Sequence, residues 1–277
     1  MPELTAPLTL GLLGFGVLIG LLGSALGVGG GIFMVPFLVL VLKLPMHQAV
    51  AASLAAIVAT SSAVAAVNVE RGLANIRLGI TLELTTALGS IAGALVASRL
   101  PGGLLQLLFA LMLFPVSVLM LLKGLRPARA AAPAAGPATA FDGAFFDPAA
   151  SAHTPYQVRN MAPASFISFF AGSLSGLLGI GGGIVQVPVM NLLCGVPMKA
   201  AAATSNFIIG VSAAASAYVY FGRGHFPLEI TALAVAGVLA GSFLGMRLLY
   251  KARSEKLQVA FAVLVLLTGV KMLMKAL

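Results

Sequence analysis

Charge is what this chain has least of. Only 8% of its 277 residues are Asp, Glu, Lys or Arg, while 60% are hydrophobic and the mean hydropathy is +1.08. Soluble domains carry about 25% charged residues, so a water-soluble globular surface is excluded. Cysteine occurs once, at Cys194. One thiol excludes an intrachain disulfide and a cysteine-rich metal site, and reads as a small packing residue. The three histidines, His47, His153 and His225, fall in expected loops. There is no His-Glu-x-x-His and no carboxylate cluster, so no metal is expected. No Gly-Lys-Ser/Thr follows a glycine run, and no soluble strand–turn–helix surrounds one, so neither a P-loop nor a dinucleotide fingerprint is supported and no cofactor is expected. No nucleophile lies beside a base, so the chain does not read as an enzyme. The net charge of +9 comes from basic residues scattered among loops. That pattern fits membrane orientation and anion attraction rather than nucleic acid.

What is abundant is uninterrupted apolar sequence. Residues 8–26, 48–67, 78–98 and 104–122 are almost free of charge. Runs of about 20 apolar residues match a hydrocarbon core about 30 Å thick. They do not alternate as barrel strands would, so they predict helices. The expected fold is an all-α polytopic membrane protein in the lipid bilayer. "MPELTAP" places no basic segment before the first run. A cleaved signal peptide is therefore not expected.

The chain is written twice. Setting Gly31 on Gly183 aligns Gly20–Leu125 with Gly172–Leu277 without a gap. Matched pairs include Pro36/Pro188, Pro45-Met46/Pro197-Met198, Ser53/Ser205, Arg71-Gly72/Arg223-Gly224 and Gly89-Ser90/Gly241-Ser242. Roughly a third of the aligned positions are identical, which marks an internal duplication. The expected organisation is a first transmembrane repeat at 1–125, an Ala/Pro-rich linker at 126–162, and a second repeat at 163–277. The linker composition, as in "RPARAAAPAAGPATA", breaks helices and predicts disorder in part. Each repeat holds five apolar pieces, and the second of each is short: 32–42 and 184–194. Eleven helical residues rise about 16 Å, half a bilayer. If the first two pieces return the chain to its starting side, the second repeat is inverted. With the N- and C-termini outside and the linker cytoplasmic, Lys and Arg then favour the inner side about two to one, as the positive-inside rule requires.

The short pieces begin at "GVGGGIFMVP" (27–36) and "GIGGGIVQVP" (179–188). Glycine permits the backbone of a chain break and lets a ligand approach closely. Inverted repeats with interrupted helices are the architecture of secondary transporters. Half-helices starting near Ile32 and Ile184 would aim free N–H groups and positive dipole ends at one midplane spot, a site for a small anion. The candidate binding residues are Gly29, Gly30, Gly31, Ile32, Gly181, Gly182, Gly183 and Ile184. Ser53, Gln186, Thr204, Ser205 and Asn206 are candidate side-chain donors. Tight helix packing is the competing explanation of the glycines. Charged residues inside a membrane are functional candidates by default. Glu83 has no charged mate in the repeat, where Val235 stands, and is a candidate carrier of a coupling proton. Arg71 and Arg223 are gating candidates at the two mouths.

The twin GxGGGxxxxP phrases, followed by "LPMHQAVAAS" and "VPMKAAAATS", resemble the TauE/SafE family of sulfite-exporter-like transporters, also known as TSUP. The resemblance covers both halves. It implies a permease of the bacterial cytoplasmic (inner) membrane for sulfite, sulfonates, related sulfur oxyanions or organic acids. An anion channel and a non-transporting membrane scaffold are the alternatives. The sequence leaves a homo-oligomer open.

Overall fold

In hydrocarbon a backbone amide has no water to bond, so apolar runs must close their own hydrogen bonds as helices. The computed structural model describes residues 6–26, 29–125, 139–147, 152–249 and 254–276. The first repeat forms α1 (Ala6–Leu26), α2 (Gly31–Leu40), α3 (Met46–Glu70), α4 (Ile76–Ala97) and α5 (Gly102–Leu125). The second forms α6 (Met161–Leu178), α7 (Gly183–Pro188), α8 (Met198–Gly222), α9 (Leu228–Leu249) and α10 (Ser254–Ala276). Six of these helices are long and apolar enough to cross a membrane.

The two halves interlock rather than sit side by side. A Cβ on Gly20 of α1 would strike the backbone of Val238 in α9, and Gly241 and Gly245 of α9 lie on Val17 and Leu21. Their repeat mates make the same contacts: Gly172 of α6 on Thr86 in α4, then Gly89 and Gly93 of α4 on Phe169 and Ser173. Small residues let these backbones approach closely. The order of these contacts makes α1 parallel to α9, and α4 parallel to α6. Helices α3 and α8 pack antiparallel across the centre: His47 at the start of α3 stacks on His225 beyond the end of α8, while Asn75 beyond α3 bonds Thr204 early in α8. Such pairings require inverted repeats in which α1 and α2 together return the chain to its starting side. The end of α5 therefore lies on the face opposite the start of α1.

Two features were not legible in sequence. The first lies in the linker, which was expected to be disordered in part. Residues Gly143–Asp147 and Ala152–Tyr156 form an antiparallel hairpin, β1–β2. Phe145, Tyr156 and Val158 pack into an apolar cluster with Leu78 and Leu82 of α4, Val187 of α7 and Ala201 of α8. Residues 126–138 and 148–151 lie outside the described residues. Asp142 ties the hairpin base, accepting from the Thr139 hydroxyl and from the amides of Thr139 and Val158. The Thr139 hydroxyl foremost, then the Val158 and Thr139 amides, hold this carboxyl below the usual carboxylate range. The second feature is a π-helical turn at Val189–Leu193. Pro188 has no N–H to give an i→i−4 bond, and the chain beyond it widens, with Cys194 N donating to Val189 O at 3.3 Å.

The histidines also depart from expectation. His47 is the second residue of α3 and His153 lies on β2, while His225 does occupy a loop, between α8 and α9. His47 and His225 stack with ring centroids 5.0 Å apart, joining the two halves on the face opposite the hairpin. Partial burial first, then His47 and Arg223, push His225 below the ordinary histidine range.

Candidate anion site at two broken helices

Both triple-glycine segments are chain breaks. Gly29 and Gly30 have φ of 75° and 77°, and Gly181 and Gly182 have φ of 84° and 64°. These left-handed values suit glycine and strain residues with a Cβ. They turn the chain sharply between α1 and α2, and between α6 and α7. Helix α2 starts on the Gly30 carbonyl, which accepts from Phe33 N and Met34 N. Helix α7 starts likewise on the Gly182 carbonyl, which accepts from Val185 N and Gln186 N. The opening amide of α7 is itself engaged, Gly183 N donating to Gly181 O at 2.7 Å.

The breaks meet in the protein interior. Gly29–Gly31 and Gly181–Gly183 are buried, and a Cβ on Gly31 would collide with the Gly179 carbonyl oxygen and lie 2.5 Å from Ile57 Cδ1. Ser53 Oγ, fully buried, donates to Gly179 O at 2.8 Å and lies 3.5 Å from Gly31 O, so one hydroxyl bridges both breaks. Ile57 and Ile209, mates in the repeat, flank Gly29 from α3 and α8. Helix α2 is sheathed in apolar side chains, with Ile32, Met34 and Val35 fully buried.

The other candidate residues divide in two. Ser205 Oγ and Asn206 Oδ1 are buried with no hydrogen-bond partner among the described residues. Gln186 is also buried, but its amide is engaged: Nε2 donates to Thr86 Oγ1 at 2.7 Å, and Oε1 accepts from Ser168 at 3.1 Å. Thr204 Oγ1 accepts from the Asn75 backbone N–H at 2.9 Å. Glu83 is 7% exposed, and neither carboxyl oxygen has a partner among the described residues. It stands one turn before Thr86 on α4, the residue that Gln186 of α7 bonds. Arg71 and Arg223 cap the ends of α3 and α8, each followed by a glycine with positive φ, and both are exposed. Arg71 lies fourteen residues beyond Ile57, about 20 Å along the helix, so the structure does not bring it to the breaks.

Sequence reasoning missed the Gly179 carbonyl, the Ile57/Ile209 pair, Thr86, Ser168 and Ser175. Thr86 and Ser175 are mated with Val238 and Gly23, so the repeat gave no signal for them. A groove of about 530 Å³ between α3 and α8, lined by Ser61, Phe207 and Gly210, includes no residue of either break. Nor does a smaller cavity of about 220 Å³ under the hairpin at Asn75 and Arg77.

Interlocked inverted halves with two broken helices meeting inside the bundle define a polytopic α-helical membrane protein of the transporter type. Residues 12–272 match the sequence profile of the family described as sulfite exporter TauE/SafE, and the chain belongs to that family. It is 27% identical over 267 residues to the "Probable membrane transporter protein YunE" of Bacillus subtilis, covering 93% of this chain and 94% of that protein. It is 24% identical over 231 residues to YdhB of the same organism, which carries the same description, covering 83% of this chain and 86% of the other. A "Probable membrane transporter protein" of Xylella fastidiosa is 26% identical over 245 residues, covering 88% and 86%. No solved structure matches the chain. The protein is a multi-pass membrane transporter.

Proposed function

We propose that the chain is a secondary carrier for a small anion, held where the two glycine breaks meet and exposed alternately to the two sides as the halves rock. The substrate class is sulfite, a sulfonate, or a related sulfur oxyanion or organic acid. The sulfite-exporter description of the family supports that class, whereas the relatives' names specify no substrate. One observation carries the reading: two oppositely running breaks touch in the interior at Gly31 and Gly179, under one bridging hydroxyl. A packing device alone would be served by small residues within continuous helices, as in the α1–α9 and α4–α6 seams. Close packing around the meeting point fits an occluded conformation.

Glu83 is the proposed site of a coupling proton. An ionised carboxylate buried without a partner would be costly, so uptake and release of a proton at this position can accompany the change of access. The protein is read as a non-enzyme, seated in a bacterial cytoplasmic membrane with both termini outside and the linker inside. Proteoliposome counterflow tests the carrier. Uptake of labelled sulfite, thiosulfate or sulfoacetate should saturate and accelerate when the vesicles are preloaded with the same anion. Non-saturating flux without acceleration would instead indicate a channel. Absence of both flux and anion-dependent stabilisation would leave a scaffold.

A further inference from the structure

The two breaks are built on one plan but are not chemically equivalent. At the first, Ile19 Cγ2 would lie 2.6 Å from a Cβ on Gly30, and a Cβ on Gly23 would lie 2.8 Å from the Gly30 nitrogen. Ser53 completes the seal with its bond to Gly179 O. Among the described residues, that side is closely packed around Gly30. At the second break the mate of Ile19 is Ala171, and the mate of Gly23 is Ser175. A bulky side chain has been removed and a hydroxyl added. Ser175 borders the break, its Cβ 3.4 Å and its Oγ 3.7 Å from the Cβ position of Gly182. It is fully buried and has no hydrogen-bond partner among the described residues. Ser205, the mate of the bonded Ser53, is likewise fully buried and unpartnered among them. Buried hydroxyls are ordinarily satisfied. A helical serine can bond back to the carbonyl four residues earlier, as Ser212 and Ser242 do. Ser175 at the second break, and Ser205 at the α8 position that mates with Ser53 beside Gly31, are therefore two hydroxyls that need a partner.

Resting on the carrier reading, we infer that the anion is held asymmetrically at the second break, with the Ser175 and Ser205 hydroxyls as its side-chain donors beside the Gly182 turn. The first break is the sealed counterpart against which the second moves. An oxyanion with several acceptor oxygens suits such a site, because each oxygen can take one of these donors. Ser175 sets specificity through a position that the repeat writes as glycine in the other half.

The test is equilibrium binding of sulfite, thiosulfate and sulfoacetate to the full-length detergent-purified protein, with the melting temperature of the ligand-free protein measured alongside. Losing a hydroxyl that donates to an anion should weaken binding about 10- to 100-fold. Ser175→Ala and Ser205→Ala should each show that loss at an unchanged melting temperature. Ala171→Ile, which copies the seal of the first break, should remove binding while the protein still folds. Ser242→Ala removes a buried hydroxyl whose bond is to the protein, at Val238 O on α9, and should leave Kd within about threefold of wild type. Wild-type Kd in well-folded Ser175→Ala and Ser205→Ala would overturn this inference and leave the carrier reading standing. An equal loss of affinity in Ser242→Ala would overturn it too. No binding of any of the three anions by the wild type would sink both.

Discussion

Replacing Gly31 by alanine adds a single methyl group at the point where the two halves meet. The added Cβ would overlap the Gly179 carbonyl oxygen and lie 2.5 Å from Ile57 Cδ1 and 2.9 Å from Ser53 Oγ. The Ile57 methyl can rotate aside, but the carbonyl cannot. Gly179 caps α6 in the left-handed region, its N–H bonded to Ser175 O at 2.7 Å, and it abuts Val50 of α3. Relief therefore requires the two breaks to separate. Overpacking of this kind costs about 1–3 kcal/mol, and stretching the buried Ser53 bond adds about 1 kcal/mol. The control is Gly103→Ala in α5, where nothing lies within 4 Å of the new methyl. That change should be neutral or stabilise by up to about 1 kcal/mol, as alanine for glycine in a helix does. Thermal unfolding in detergent should show Gly31→Ala clearly destabilised and Gly103→Ala not, with anion flux lost only in the former. Wild-type melting and wild-type flux in Gly31→Ala would refute the claim that the breaks are in close, functional contact.

Further expectations follow from the same geometry. Glu83→Gln should retain anion binding and abolish substrate-dependent proton movement in proteoliposomes, and unchanged proton movement would remove Glu83 from coupling. Asn75 caps α4 through Leu78 N and holds the hairpin through Phe141 O and Tyr156 Oη. Asn75→Ala should cost about 1 kcal/mol for the cap and speed proteolysis within 139–158; an unchanged cleavage pattern would show that the hairpin is held otherwise. Asp142 has a carboxyl held below its ordinary range, so its tether is complete above the unfolded carboxylate value and is lost as pH falls through the depressed one. Acid should therefore loosen the hairpin in wild type, and Asp142→Asn should remove that pH dependence of proteolysis. His225 is also held low, so the contribution of its neutral form is present above the unfolded histidine value, about 6.5, and declines as pH falls below it. His225→Phe should flatten the melting temperature between pH 7 and 5, and an unaltered pH profile would exclude the histidine pair as its source.

Much of the fold was legible because membrane helices announce themselves through apolar length, and a duplicated sequence announces its symmetry. The ten apolar pieces coincide with α1 to α10, and the inverted relation was reached from the distribution of Lys and Arg. The breaks were legible because consecutive glycines ahead of Ile32 and Ile184 serve no helix. The linker hairpin was not, because its anchors come from distant segments: Asn75 from the α3–α4 turn, and Leu78 and Leu82 from α4. Alanine-rich composition around it masked a short β pair. Symmetry itself misled in places. Ser53 and Ser205 read alike in sequence, yet one is bonded to Gly179 and the other has no partner. Ser175 was invisible because its mate is glycine. Gln186 and Thr204 read alike as donors, yet Gln186 donates to Thr86 and accepts from Ser168, whereas Thr204 Oγ1 accepts from Asn75 N and keeps its own proton to donate.

The most direct measurement is the position of a bound substrate analogue. Selenite replaces the sulfur of sulfite with an anomalous scatterer, so diffraction at the selenium edge from crystals soaked with selenite locates the anion without prior assumption. The account predicts a peak at the junction of the two glycine turns, within hydrogen-bonding reach of Gly182 and adjacent to Gly31. Selenium located instead in the α3–α8 groove or under the hairpin, in protein that still binds sulfite competitively, would contradict it.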